Sequence, residues 1–123
     1  MRTEKTFSIT NKTTRAVPRA PFVEIKNKVL GEKYELSLVF VGKSISHKLN
    51  LQYRDKDKPT NVLSFPLSKT SGEIFIDLSF KEHSPIFLFI HGLLHLKGMQ
   101  HGATMEREEK KLLAHVQTLR NRN

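Results

Sequence analysis

The segment Ser84-Pro85-Ile86-Phe87-Leu88-Phe89-Ile90-His91-Gly92-Leu93-Leu94-His95-Leu96-Lys97-Gly98 constrains the fold more than any other part of the chain. Ser84 suits an N-cap, Pro85 the first helical position, and Gly98 the position just past a helix end. Between these signals apolar side chains cover nearly every face, which predicts a central, buried helix. His91 and His95 stand four residues apart and therefore on one face. Gly98 can take a left-handed conformation that folds the chain back and brings His101 to the same point. Three neutral imidazoles hold Zn²⁺ and leave its fourth position for water, the arrangement of a catalytic rather than a structural site. Nickel, copper or iron would also bind such a set.

The chain has 123 residues and no cysteine. That length suits one domain over residues 1–123 whose core forms without disulfides. Thiolate metal ligands, disulfides and a cysteine nucleophile are excluded, which fits a reducing cytosol and a cytoplasmic location. Met1-Arg2-Thr3-Glu4-Lys5 runs into polar residues without an apolar stretch, so no secretory signal is expected. The apolar run Ile86 to Ile90 is far too short to span a bilayer, and the protein is expected to be soluble. A net charge of +9 and a pI near 10.0 favour a polyanionic partner, most often nucleic acid.

Periodicity supplies the remaining elements. Thr6 to Thr10 alternates as a half-buried strand, with Phe7 and Ile9 inward. Phe22, Ile25 and Val29 recur at helical spacing over about 20–30, and Gly31 stops that helix. Tyr34 to Val41 is a strand with Leu36, Leu38 and Phe40 on one face. Ser44 or Ser46 is expected to cap a helix whose stripe is Ile45, Leu49 and Tyr53, followed by the charged loop Arg54 to Pro59. Asn61 to Phe65 reads as a strand stopped by Pro66, and Glu73 to Leu78 as another, with Ser68 to Gly72 between them. Thr104 is expected to cap a last helix with Met105, Leu112, Leu113, Val116 and Leu119 inward. Glu106, Glu108 and Glu109 near its start complement the helix dipole, and the tail Arg120-Asn121-Arg122-Asn123 is expected to fray. The order β-α-β-α-β-β-α-α predicts an α+β domain, one mixed sheet packed against the buried histidine helix.

By spacing alone, HxxxHxxGxxH is also the ligand pattern of metzincin proteases, where a Glu that serves as general base follows the first His. Here that residue is Gly92, which argues against peptide hydrolysis by that route. Asn61 and Ser64 could orient a phosphate or a base edge, or simply end a strand. Glu73 and Asp77 are candidates for a proton shuttle or for plain solvent-facing positions. Lys12, Arg15, Arg19, Lys56 and Lys58 could track a phosphate backbone if they share a face. His47, His83 and His115 lack ligand spacing and read as surface or structural residues.

Taken together, His91-Gly92-Leu93-Leu94-His95-Leu96-Lys97-Gly98-Met99-Gln100-His101, Asn50-Leu51-Gln52-Tyr53-Arg54, Pro59-Thr60-Asn61-Val62-Leu63-Ser64-Phe65-Pro66 and Gly72-Glu73-Ile74 resemble the YbeY family of bacterial endoribonucleases. The resemblance runs from about Leu49 to the end of the last helix. Met99-Gln100 stands where the family usually has Tyr-Asp, and Glu73 where it commonly has Asp. The resemblance implies a compact α+β fold and a metal-dependent endoribonuclease that prefers single strands. It further implies rRNA processing and ribosome quality control, with RNA and the ribosome or its proteins as partners. His91, His95 and His101 would be the metal ligands. Arg54, otherwise a solvated side chain in a charged loop, would stabilise phosphoryl charge, since a guanidinium contacts two oxygens and keeps its proton. Two other readings are a ribosome-associated RNA-binding assembly factor with a mainly structural metal, and a small metalloprotease.

Overall fold

The computed structural model describes residues 6–121. Its elements follow the expected order: β1 (Phe7–Asn11), α1 (Phe22–Leu30), β2 (Glu35–Val41), α2 (Lys43–Arg54), β3 (Val62–Ser68), β4 (Ser71–Asp77), α3 (Pro85–Leu96) and α4 (Ala103–Arg120). The fold is α+β, with a mixed sheet ordered β1-β2-β4-β3. β1, β2 and β4 are mutually parallel, and β3 returns antiparallel on β4 to form one edge.

The two sheet faces carry different helices. Leu36, Leu38, Phe40, Ile74 and Ile76 share a face and pack with Phe22, Ile25 and Val29 of α1 and with Ile86, Phe89, Ile90 and Leu93 of α3. Met105, Leu112 and Val116 of α4 complete this core. On the other face Val39 and Val41 are also buried, on the side where α2 packs against β4 and β3. The C-terminal half of β2 is therefore apolar on both sides rather than on one, as expected of a central strand in a parallel stretch, while Glu35 and Ser37 keep its start polar on the second face. Ile9, in register with Leu38, remains 41% exposed because β1 is the edge opposite β3.

Helix α3 lies close against β3 and β4 at Gly92. A Cβ there would come within 3.0 Å of both Ile74 Cδ1 and Ser64 Oγ. The small residue thus lets the histidine helix approach the sheet, and Ser64 Oγ donates to the Gly92 carbonyl at 3.2 Å.

Several local expectations are corrected. Pro66 does not stop β3, which continues to Ser68; an edge strand can leave a missing N–H on its solvent side, and the register shifts there between Pro66 and Ser68. Neither Ser44 nor Ser46 caps α2, whose N-cap is Gly42. Ser46 is instead buried and its hydroxyl donates to Asp77 Oδ2 at 2.8 Å. Thr104 does not cap α4 either, since the helix begins at Ala103 after Gly102. The tail is helical through Arg120, whose guanidinium donates to the Arg19 carbonyl at 2.8 Å. The leader reading on residues 1–5 and the last two tail residues lie outside the described residues.

Candidate metal centre

Helix α3 forms as its sequence dictates. Ser84 Oγ accepts from the Phe87 N–H at 3.2 Å, Pro85 occupies the first turn, and Gly98 follows the end at φ +104°. That left-handed residue turns the chain back, and His101 arrives beside His91 and His95. One ring nitrogen from each of the three histidines lies within 4.8 Å of the others, so the set could hold a metal ion.

Two hydrogen bonds orient the set. His91 Nδ1 donates to Glu109 Oε2 of α4 at 2.6 Å, and His95 Nδ1 donates to the Met99 carbonyl at 3.0 Å. Both Nε2 atoms then carry lone pairs, and they stand 3.1 Å apart. Two lone pairs at that distance repel unless a cation lies between them. Ligands each 2.0–2.1 Å from one tetrahedral zinc stand about 3.3 Å apart, so the spacing fits such an ion. Burial, reinforced by the neighbouring His91 and His101 and by Arg54, holds the His95 imidazole below its ordinary protonation range, against the opposing Met99 hydrogen bond. A neutral imidazole is the form that binds a metal.

The triad opens onto a cleft of about 590 Å³ lined on its other side by Tyr53, Arg54, Thr60, Asn61 and Phe65. Arg54 ends α2, and Asp55 in the left-handed region at φ 57° turns the chain toward β3. Asn50 Nδ2 fixes this loop by donating to the Lys58 carbonyl at 2.8 Å. Arg54, Asn61 and Ser64 thus all reach the cleft, although the Ser64 hydroxyl is already engaged with Gly92.

Other candidates are not brought there. Asp77 is buried on the α2 face, accepting from Ser46 and from the Ser79 N–H and hydroxyl; the alternation that turns Ile74 and Ile76 toward α3 turns Glu73 and Asp77 away. Lys12, Arg15 and Arg19 follow β1 at the far edge of the sheet, whereas Lys56 and Lys58 lie exposed on the loop between α2 and β3. His47 pairs with Asp57 at 2.7 Å.

Sequence reasoning missed the place of Glu109 beside the triad. Glu109 is buried in phase with Met105, Leu112 and Val116, and a carboxylate on an apolar helical stripe is the signal that could have found it. His83 stacks on Phe87, which stacks on His91, so the i, i+4, i+8 spacing carries an aromatic row to the ligand set.

Comparison with known proteins identifies the family of this chain. The profile of the family described as Endoribonuclease YbeY matches residues 2–122. Endoribonuclease YbeY of Rubrobacter xylanophilus is 44% identical over 79 residues, a match covering 61% of this chain and 58% of that protein. Its namesakes from Chromohalobacter salexigens and Pelotomaculum thermopropionicum are 36% identical over 68% of this chain and 70% of theirs, and 35% identical over 77% of each. The chain thus spans less than two thirds of the Rubrobacter xylanophilus relative. A solution structure of a Thermotoga maritima protein superposes with a TM-score of 0.61 at 25% identity, covering 91% of this chain and 89% of that one. The chain belongs to the Endoribonuclease YbeY family.

Proposed function

We propose that this chain is a zinc-dependent endoribonuclease that cleaves single-stranded RNA during rRNA maturation and ribosome quality control in the cytoplasm. His91, His95 and His101 are its metal ligands and Arg54 its phosphate-stabilising residue. The observation that carries this reading is the placement of Arg54 in the same cleft as three convergent imidazoles.

A divalent ion held by His91, His95 and His101 would supply Lewis acidity and a water of lowered pKa. Everything else falls to side chains. Glu109 and the Met99 carbonyl hold His91 and His95 with Nε2 forward, which keeps the site organised before substrate arrives. Arg54 places a permanent cation where a phosphoryl group meets the cleft, and its fork matches the oxygens on which charge grows. Asn61 offers an amide to a backbone phosphate.

The alternatives fare worse on specific grounds. A structural zinc is enclosed by four protein ligands, whereas this set offers three beside an open cleft. A metalloprotease needs a general base, and no carboxylate lines the cleft among the described residues. The net charge of +9 favours RNA, including the ribosome, over a protein substrate. No helix among the described residues is long and apolar enough to cross a membrane.

The test is cleavage of an end-labelled single-stranded RNA by metal-stripped protein and by the same sample reloaded with zinc. The expected result is cleavage only after reloading, with a duplex of the same sequence left largely intact. Equal cutting by both samples, or none by either, contradicts the reading.

A further inference from the structure

The wall of the cleft opposite the histidines is an aromatic ridge. Tyr53 is 59% exposed, yet its ring meets Phe65 at a tilt of 59° with centroids 5.1 Å apart, and Phe65 in turn meets Phe75 edge-on at 5.7 Å. Tyr53 and Phe65 line both the metal-facing cleft and a second hollow of about 300 Å³, which Leu49, Pro66, Leu67, Phe75 and Glu73 complete. The apolar stripe expected to bury α2 therefore ends in a tyrosine left in solvent beside the reacting centre. Arg54 follows Tyr53 directly, and Lys56 and Lys58 follow on the exposed loop. An exposed aromatic face next to a guanidinium suits a ligand that is itself a flat ring on an anionic backbone.

We propose that Tyr53 and Phe65 form a base-stacking subsite that holds the nucleobase adjoining the scissile phosphate of a single-stranded RNA. This inference rests on the nuclease reading above. A phosphate drawn to Arg54 leaves the attached base beside the Tyr53 face, and stacking there holds the phosphate in register with the triad. A base inside a duplex already stacks on its neighbours and offers no free face. The ridge thereby gives a physical reason for single-strand preference, and it tolerates sequence because every base has a π-face.

The experiment is stopped-flow binding of the zinc-loaded protein to a single-stranded RNA carrying one 2-aminopurine, read before turnover. Wild type and Tyr53→Phe are expected to bind equally and to quench the probe. Tyr53→Ala should bind roughly 5- to 100-fold more weakly without quenching, while its zinc content and melting temperature stay at the wild-type values. Tight binding with quenching by Tyr53→Ala overturns the subsite, as does a Tyr53→Phe variant as weak as Tyr53→Ala, which would assign the effect to the hydroxyl. If wild type fails to bind any RNA, the nuclease reading itself falls; if wild type binds and cuts but Tyr53→Ala does so equally, only the subsite falls.

Discussion

Glu109 Oε2 accepts a 2.6 Å hydrogen bond from His91 Nδ1, which joins helix α4 to the histidine helix through a carboxylate only 7% exposed. The contact fixes which ring nitrogen of His91 is bare and where it points. Outer partners of this kind commonly contribute about 10- to 100-fold to metal affinity. Glu109→Ala should therefore weaken zinc binding by about that factor in a competition titration with a chromophoric chelator. Glu109→Gln, which keeps an acceptor oxygen, should lose less. Unchanged affinity in Glu109→Ala would show that α4 only packs against the site.

His95 titrates below its ordinary value of 6.5, chiefly because of burial and then because of its histidine neighbours. As pH falls through 6.5 the unfolded chain gains this proton before the folded one does, so the unfolded state holds more protons. The metal-free protein should lose stability over that window and level off once the pH drops below the folded value. Urea midpoints at pH 7.5 and 5.5 in chelator test this, and His95→Gln should reduce the difference. Zinc affinity should fall over the same range, because protons compete for the imidazoles.

Gly98 at φ +104° turns the chain so that Met99 meets His95 and His101 joins the set. A side chain there is strained by about 1–2 kcal/mol. Gly98→Ala should lower the melting temperature by a few degrees and weaken zinc binding at the same time. Calorimetry with and without metal separates the two effects; a melting temperature that does not move would contradict the role given to this turn.

The fold was legible where periodicity is strong. The buried α3 segment, β2 and the order of all eight elements follow from apolar spacing and from Ser84, Pro85 and Gly98. Pro66 misled because a proline ends a central strand but not an edge strand, and edge position is a property of the sheet order. The caps at Ser44, Ser46 and Thr104 misled because a hydroxyl near a helix start is equally useful to a tertiary partner, as Ser46 is to Asp77. In the site, the three histidines are close in sequence and visible as a pattern. Arg54 comes from α2 and was legible only through the family resemblance, while Glu109 and Tyr53 come into view only with the packing of α2, β3 and α4 around α3.

Arg54 carries the central claim, since it is the cation that shares the cleft with the triad. The most direct measurement is cleavage of a labelled single-stranded RNA by zinc-loaded wild type and by zinc-loaded Arg54→Ala, with metal content verified in both. Removing a preorganised charge-stabilising group costs about 10²- to 10³-fold in turnover, so the variant should keep its zinc and lose cleavage by that order, with Arg54→Lys recovering only part. Equal cleavage by the two proteins, or the absence of cleavage in wild type, would contradict a metal-site nuclease built on Arg54.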